Sequence, residues 1–231
     1  MSEIIAPPPL STPPALPPAP EPEPKTTPPT TYKLTYFPVK ALAEPIRFLL
    51  RYAGVEFEDV GITKEHWPEI KNSMPFGQLP VLEMNGKIAH QSIAICRYLA
   101  KQSNLMGTND WENLEIDSIV DSVSEFRQKV SAYFIEKDGE IRAARKKVLV
   151  EETLPFYMGK LEEAAIKNNG YLACGRLTWA DLFFVGLLDY FNAALETDIL
   201  NEHPRLQEVK RNVLALPAIN EWIQTRPESD Y

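Results

Sequence analysis

The sequence predicts two folded domains, an α/β domain of order β-α-β-α-β-β-α followed by an all-helical domain. Between Tyr32 and Lys101, short strand patterns alternate with amphipathic helical patterns. From Trp111 onward the apolar residues recur at helical spacing, and there is almost no strand signal. A polar stretch around Gly107 separates the two patterns. We therefore predict a tail at 1–30, an α/β domain at 31–105 and a helical domain at 110–231.

The α/β domain begins with a strand and a helix. Residues 33–36 alternate between polar and apolar side chains, as a half-buried strand does. A loop over 38–43 leads into a helix that has Pro45 in its first turn and Gly54 at its end. The next two predicted elements are a strand at 55–60 and a short helix at 66–72.

The remainder of this domain is a proline-containing turn, a β-hairpin and a third helix. Leu79 and Pro80 directly precede an apolar strand, and a proline at such a position often marks a special backbone geometry that includes the option of a cis peptide bond. The turn leaves the backbone N–H and C=O of Leu79 available to a peptide-like ligand. Asn85-Gly86 predicts a two-residue turn, because both residues tolerate positive φ. A return strand leads to a third helix, for which Ser92 is the predicted N-cap.

The second domain has only helical signals. Pro155 is expected to bend a long amphipathic helix. Thr178 is the expected N-cap of an apolar helix, and Asp181 can reach back to the Thr178 amide in a capping box. The predicted helices are 111–135, 140–167, the helix that opens at 178, 204–215 and 217–225.

The composition excludes several classes of function. With 24 basic and 32 acidic residues the net charge is −8, and the chain lacks the basic patch that nucleic-acid binding requires. No apolar run reaches the roughly 18 residues of a membrane span, and prolines interrupt the N-terminus where a signal peptide would be apolar. Cys96 and Cys174 lie far apart in apolar, helical surroundings, which predicts buried thiols in a reducing, cytoplasmic compartment.

The tail at 1–30 contains 12 of the 21 prolines and cannot bury a core. We expect a semi-rigid polyproline II segment. Such a segment serves either as a solvated spacer or as a docking segment for a protein partner.

Six motifs in combination resemble the sigma-class cytosolic glutathione transferases. They are Tyr-Lys-Leu-Thr-Tyr-Phe at 32–37, Ala-Glu-Pro-Ile-Arg at 43–47, Trp-Pro-Glu-Ile-Lys at 67–71, Pro-Phe-Gly-Gln-Leu-Pro-Val-Leu-Glu at 75–83, His-Gln-Ser at 90–92 and Leu-Thr-Trp-Ala-Asp at 177–181. The resemblance runs from about Tyr32 to Pro227, and the tail resembles the extension of some insect sigma-class proteins. It implies a thioredoxin-like domain that binds glutathione, a helical domain, a substrate pocket between them, and a homodimer.

The resemblance also implies which residues act on glutathione. Tyr36 would donate a hydrogen bond to the glutathione sulfur, whose ordinary pKa of about 8.5 must fall for the reactive thiolate to form. The other implied glutathione-binding residues are Trp67 and Lys71 at the glycine end, Gly77, Gln78, Leu79 and Pro80 around the cysteinyl unit, Gln91 and Ser92 at the γ-glutamyl carboxylate, and Glu125 of the partner subunit at the γ-glutamyl ammonium group. Thioredoxin-type redox chemistry is not expected, because residues 36–39 contain no cysteine pair.

Without the motifs, the same side chains have simpler interpretations. Tyr36 and Trp67 are equally interpreted as packed core aromatics, Lys71 as a solvated lysine, and Ser92 as a helix cap alone. Asp117 and Asp121 have the i, i+4 spacing of a metal site. Ser124 interrupts that acidic set, which favours a solvated or interfacial face, and we predict no metal.

The second substrate is expected to be a small hydrophobic electrophile, with lipid-peroxidation aldehydes implied by the resemblance. Its pocket would involve Phe37, Val39 and Arg127. Prostaglandin-synthesising members have an arginine where this chain has Leu42, and a tryptophan in the region 129–132, which here has none. Both departures argue against prostaglandin D synthesis, and a glutathione-dependent prostaglandin isomerase is kept only as an alternative. A further alternative is a non-catalytic structural dimer that the tail tethers to a larger assembly.

Overall fold

The computed structural model describes residues 31–229 and Tyr231, and its first element is a four-stranded mixed sheet. The strands are β1 (Tyr32–Tyr36), β2 (Glu58–Gly61), β3 (Val81–Met84) and β4 (Lys87–His90). They lie in the order β2-β1-β3-β4, with β1 parallel to β2 and the other two pairs antiparallel. The predicted proline-rich tail at 1–30 lies outside the described residues.

Three helices complete the α/β domain: α1 (Glu44–Tyr52), α2 (Trp67–Ile70) and α3 (Ser92–Gln102). Helix α1 has Pro45 in its first turn, and Gly54 follows its end at φ +66°. The apolar faces of α1 and α3 are buried together with Leu34 and Leu82 of the sheet. The predicted β-α-β-α-β-β-α order is confirmed, and with it the thioredoxin-like fold of this domain.

The second domain consists of helices, as predicted. Its helices, within the described residues, are α4 (Asp110–Phe134), α5 (Gly139–Val148), α6 (Leu154–Lys167), α7 (Trp179–Gly186), α8 (Leu188–Leu195), α9 (Pro204–Leu214) and α10 (Pro217–Thr225). Helix α7 is buried along its whole length and packs against α4, α8 and α9, and against α1 and α3 of the first domain. Within the described residues, no helix is both long enough and apolar enough to cross a membrane.

The long amphipathic run is interrupted just before its proline. A π-helical turn over Leu149–Thr153 separates α5 from α6, and Pro155 lies in the first turn of α6. Proline has no N–H for the i→i−4 bond, and its ring crowds the preceding turn, so the helix changes its winding here.

The start of α7 is held by a buried carboxylate. Oδ2 of Asp181 accepts hydrogen bonds from the Thr178 amide at 2.8 Å and from the Thr178 hydroxyl at 3.1 Å. Oδ1 accepts a third from the Leu172 amide at 2.7 Å. Thr178 and Asp181 are both fully buried. The carboxylate therefore joins the helix start to the loop that precedes it.

Two local predictions were wrong. The second strand begins at Glu58 and not at 55. Phe57 packs on Trp222 of α10, and pairing with β1 starts only at the next residue, where Glu58 lies opposite Lys33. Ser92 is the first residue of α3 rather than its N-cap. Gln91 occupies the cap position at φ +69°, and its side chain makes no capping bond.

The cysteine prediction holds for one residue only. Cys96 is fully buried in α3, as predicted. Cys174 is only partly buried and lies in a turn at φ +59°, not in a helix. The turn lies in the segment between α6 and α7, and its tight backbone was not apparent from the apolar residues around it.

Candidate active site

A cavity of about 530 Å³ lies between the α/β domain and α4. The α/β domain contributes the segment before β3, the start of α3, and Trp67 of α2. Helix α4, in the helical domain, contributes three polar side chains that form the opposite wall of the cavity. The lining residues are Phe37, Leu42, Trp67, Pro75, Gly77, Gln78, Leu79, Pro80, His90, Gln91, Ser92, Ile93, Ser124, Arg127 and Gln128.

The segment before β3 brings backbone to the cavity wall. The Leu79–Pro80 peptide bond is cis, the option that the sequence left open at this position. Phe76 and Gly77 both have positive φ, +52° and +59°, so the chain turns sharply before it reaches Leu79. Leu79 therefore lines the cavity directly at the start of a strand whose next residues are buried.

The first turn of α3 also lines the cavity. A helix N-terminus has unpaired amide groups and a partial positive charge, and these favour an anion. Gln91 and Ser92 both line the cavity at this helix start. The N-terminus of this eleven-residue helix can thus stabilise a carboxylate, and the Ser92 hydroxyl lies at the same helix start.

Tyr36 is the last residue of β1 and is 7% exposed. Burial raises the pKa of its phenol to about 12, and the Leu42 backbone and the positive charge of Arg47 only partly oppose this effect. The hydroxyl therefore keeps its proton at neutral pH and can donate a hydrogen bond. It is not available as a phenolate base.

Arg47 holds the loop that follows Tyr36. Its guanidinium donates to the Val39 carbonyl at 3.0 Å, to Glu44 at 3.0 Å and to Asp59 at 2.8 Å. Glu44 is itself buried, so its charge is matched within the protein. The loop that carries Phe37 and Val39 is thereby fixed beside β1.

A second cavity, of about 190 Å³, adjoins the first and has Tyr36 in its wall. Phe37, Leu42 and Arg127 line both cavities, so the two meet at these side chains. The Arg127 Nε is buried and has no hydrogen-bond partner among the described residues. The lining residues are Tyr36, Phe37, Val39, Ala41, Leu42, Lys64, Arg127, Ser131, Phe134, Ile135, Tyr190 and Tyr231.

The structure brings most of the predicted site residues together. The larger cavity contains Trp67, Gly77, Gln78, Leu79, Pro80, Gln91 and Ser92, and the smaller contains Tyr36, Phe37, Val39 and Arg127. Lys71 lies outside both linings. It is exposed beside Gly77, where a Cβ would meet its Cε at 3.4 Å. Glu125 is exposed on α4 and lines neither cavity of its own chain.

Several lining residues were missed from the sequence. Ser124, Gln128 and Ser131 share with Arg127 the i, i+3, i+4 spacing of one face of α4, so a signal for them existed. Tyr190 and Tyr231 had no such signal. They come from parts of the helical domain that only the tertiary fold brings to β1.

The candidate metal site on α4 has another explanation in the structure. The two carboxylate oxygens of Asp117 accept hydrogen bonds from Nε of Arg97 at 3.1 and 3.2 Å. Across the part of the chain that the structure describes, no three His, Cys, Asp or Glu residues form a group that could hold a metal ion.

The fold and the site together define a class of protein. A thioredoxin-like domain presents backbone and a helix N-terminus to a peptide-sized cavity, and a helical domain completes a smaller, more apolar cavity at the first strand. The matching family models are the glutathione S-transferase N-terminal domain, over residues 31–101, and the glutathione S-transferase C-terminal domain, over residues 124–226. The chain belongs to the glutathione S-transferase family.

Individual proteins and structures support this assignment. A glutathione S-transferase of Anopheles gambiae is 48% identical over 84% of this chain and 96% of its own length. Glutathione S-transferase S1 of Drosophila melanogaster is 46% identical over 85% of this chain and 79% of its own. A solved structure of the prostaglandin synthase D of Nilaparvata lugens is 42% identical, with a TM-score of 0.83, and covers 86% of this chain and all of that one.

Proposed function

We propose that this chain is a sigma-class, cytoplasmic glutathione transferase that conjugates the glutathione thiolate to small hydrophobic electrophiles. The observation that carries the proposal is the position of Tyr36, which lies in the wall of a cavity that adjoins the peptide-sized one. A thiol donor in the larger cavity would have its sulfur near the junction. The electrophile would then occupy the smaller cavity.

The larger cavity suits glutathione in size and in chemistry. Its volume of about 530 Å³ is within the roughly 300–1,000 Å³ of small-molecule sites. The backbone of Leu79 would pair with the cysteinyl unit, and Ser92 and Gln91 would bind the γ-glutamyl carboxylate at the N-terminus of α3. Trp67 would contact the glycine end. Lys71, at the edge of the site, would supply a positive charge to the glycine carboxylate.

The proposed chemistry is stabilisation of a thiolate by a neutral donor. The thiol proton leaves to solvent, and the Tyr36 hydroxyl donates a hydrogen bond to the sulfur anion. The sulfur lone pair then attacks the electrophile, and a carbon–sulfur bond forms as the leaving group departs or a double bond accepts the electron pair. Each unit by which the sulfur pKa falls corresponds to about 1.4 kcal/mol of preferential stabilisation.

The lining of the smaller cavity favours compact, largely apolar electrophiles with a polar end. Phe37, Val39 and Phe134 supply apolar surface, and Arg127 supplies a donor that no protein group occupies in the described residues. An unsaturated aldehyde of the lipid-peroxidation type has this pattern. Its carbonyl oxygen could accept from Arg127 while its chain contacts the aromatic rings.

The test is turnover with a panel of electrophiles at saturating glutathione, measured from the product absorbance. The panel includes an activated aryl halide, an unsaturated aldehyde and a prostaglandin endoperoxide. Conjugation of the first two supports the proposal, and no turnover with any of them contradicts it. The endoperoxide is included because the similar Nilaparvata lugens structure is described as a prostaglandin synthase. Leu42, in place of an arginine, argues against that activity here.

We predict that Ser92→Ala weakens glutathione binding by about tenfold, because a hydrogen bond to a charged group contributes roughly 1.5–3 kcal/mol. Titration calorimetry measures the Kd directly. Thr225→Ala is the matched control, since it removes an exposed hydroxyl at the end of α10. Equal affinity in wild type and Ser92→Ala would remove Ser92 from the site.

We also propose a homodimer. Phe76, in the turn before β3, is 81% exposed, and Phe156 is 61% exposed. Large apolar side chains at such exposure mark an interaction surface. Glu125, exposed on α4, would then be free to reach the γ-glutamyl ammonium group of a neighbouring copy.

We predict that Phe76→Ser raises the dimer dissociation constant by about 100-fold, because burying a phenylalanine contributes roughly 1.5–3 kcal/mol and a symmetric interface contains two of them. Sedimentation velocity over a dilution series measures this constant. Ile166→Ser, at a 59% exposed site near the end of α6, is the control. An unchanged dimer in Phe76→Ser would contradict the proposed interface.

For residues 1–30 we propose docking to a protein partner, as an addition to catalysis. The proline content of the segment supports recognition in an extended conformation. Affinity capture from cell extract with the full chain and with residues 31–231 tests this proposal. Identical partner sets would contradict it.

A further inference from the structure

We propose that Tyr231 is a specificity-determining residue for the electrophile and that Lys40 is the positioning residue that holds it in place. This inference rests on the proposed function, since it concerns the same electrophile cavity. It assigns a role to a side chain far from β1 in sequence, and to a lysine that does not itself line the cavity.

Tyr231 forms part of the wall of the smaller cavity, together with Tyr36. Its ring packs edge-on against Phe134 of α4, with centroids 5.3 Å apart, and against Tyr190 of α8, with centroids 5.9 Å apart. These three rings form a continuous aromatic wall. An electrophile in the cavity would contact that wall.

No helix or strand holds Tyr231 there, because α10 ends at Thr225. The contacts come instead from Lys40, in the loop that follows β1. The Lys40 amide donates to the Tyr231 backbone oxygen at 2.6 Å, and the Lys40 Nζ donates to the Ser229 carbonyl at 3.2 Å. The Ser229 hydroxyl donates to the same Tyr231 oxygen at 3.2 Å. Lys40 thus binds this part of the chain at two points.

An ion pair fixes the position of the Lys40 side chain. Its Nζ lies 3.4 Å from a carboxylate oxygen of Asp189, and Arg226 binds the same oxygen at 2.6 Å. Arg226 also binds the buried Glu44 at 2.6 Å. Asp189 directly precedes Tyr190 in α8. These ion pairs therefore tie together the loop after β1, α8 and the residues that follow α10, all of which contribute to the cavity.

The cavity volume indicates what Tyr231 does for selectivity. At about 190 Å³ the cavity is smaller than most ligand sites, which are roughly 300–1,000 Å³. A substituent that reaches the aromatic wall gains contact with it, whereas a substituent of one carbon does not reach it. Loss of the Tyr231 ring should therefore weaken binding of long substituents and leave short ones unchanged.

The experiment uses non-reactive S-alkyl glutathiones, so that binding is measured apart from chemistry. Calorimetry gives the Kd of S-methylglutathione and S-hexylglutathione for wild type, Tyr231→Ala, Tyr231→Phe and Lys40→Met. We expect Tyr231→Ala to lower the preference for the hexyl group by about tenfold, the effect of losing a modest apolar contact area. Tyr231→Phe should retain the preference, because the ring supplies the contact.

Lys40→Met keeps the bond from the Lys40 amide to Tyr231 and removes the Nζ contacts to Ser229 and Asp189. It should therefore lower the hexyl preference by about threefold to fivefold although Tyr231 is intact. Lys167→Met, at an exposed site in the last turn of α6, is the control and should match wild type. A hexyl preference within about twofold of wild type in Tyr231→Ala overturns the assignment of Tyr231. The same result in Lys40→Met overturns that of Lys40.

The outcome is separable from the proposed reaction. Wild type that binds the S-alkyl series but conjugates no electrophile would contradict the reaction and leave the Tyr231 comparison valid. Wild type that binds neither S-alkyl compound would overturn both proposals. In the active enzyme, kcat/KM for the aryl halide should fall in Tyr231→Ala while the KM for glutathione stays constant.

Discussion

Tyr36→Phe is expected to lower kcat/KM for conjugation by about 100-fold and to raise the pKa of bound glutathione by about 1–2 units. The substitution keeps the buried ring at the end of β1 and removes only the hydroxyl. A hydrogen bond to a charged acceptor contributes roughly 1.5–3 kcal/mol, and this bond exists only when the sulfur is ionised. Glutathione binding should therefore change little, while the thiolate fraction at neutral pH falls.

The measurement is a pH titration of the ultraviolet absorbance of the thiolate, at saturating glutathione, in wild type and Tyr36→Phe. Tyr98→Phe is the control, because Tyr98 is 48% exposed on α3 and lines neither cavity. Full conjugation activity in Tyr36→Phe, with glutathione still bound, would contradict the mechanism. A wild-type sulfur pKa equal to that of free glutathione would mean binding without activation.

The pH dependence follows from the raised pKa of Tyr36. Burial raises this pKa to about 12, so the hydroxyl remains a donor throughout the range in which the sulfur ionises. The rate of conjugation should rise with pH as the fraction of thiolate increases, and should then reach a plateau that extends to about pH 10. A rate that continued to rise with ionisation of a tyrosine would instead indicate a phenolate base.

The second large effect is on stability: Asp181→Ala is expected to lower the free energy of unfolding by about 3–5 kcal/mol. The fully buried carboxylate accepts hydrogen bonds from the Leu172 and Thr178 amides and from the Thr178 hydroxyl. Each buried donor left without a partner costs about 1–3 kcal/mol. Thermal unfolding should shift down by roughly 10 °C or more, at about 2–4 °C per kcal/mol.

Asp138→Ala is a matched control for this substitution. Asp138 accepts hydrogen bonds from two amides, Glu140 and Ile141, at the start of α5, but it is exposed. Water can replace an exposed cap, so this variant should lose only about 1 kcal/mol. Equal losses in the two variants would mean that burial of Asp181 adds nothing to its contribution.

The stability difference should also depend on pH. Burial raises the pKa of Asp181 to about 6, although hydrogen bonds from Leu172 and Thr178 oppose the shift. The folded state therefore favours the protonated Asp181 carboxyl. This preference stabilises the folded protein fully at a pH below the ordinary pKa of an aspartate, and the stabilisation is lost as the pH rises through about 6. The gap between wild type and Asp181→Ala should be widest at about pH 4 and narrow toward neutrality.

Local features of the fold were predictable because neighbouring residues produce them. The Asn85-Gly86 turn forms with both residues at positive φ, +50° and +77°, and joins β3 to β4 as predicted. Pro45 and Gly54 bracket α1. In each case the backbone preference of one or two residues decides the local conformation, so the sequence pattern is sufficient to predict it.

The failures have a common cause. Ser92 has the chemistry of an N-cap, but the chain enters α3 with Gln91 at φ +69° and Ser92 already in the helix. Cys174 resembled a buried helical residue and lies in a tight turn. In both cases neighbouring segments determine the path of the backbone, and intrinsic preference is the weaker influence.

The sequence by itself determined the order of elements, the family and the side chains expected to act on glutathione, because these depend on local patterns and on motifs within single segments. Only the tertiary structure decided which residues share a cavity. Phe134, Tyr190 and Tyr231 meet Tyr36 through the packing of α4, α8 and the residues after α10 on the loop that follows β1. Such contacts depend on how helices cross and on charges such as Asp189 that join distant segments, and spacing along the chain does not encode them.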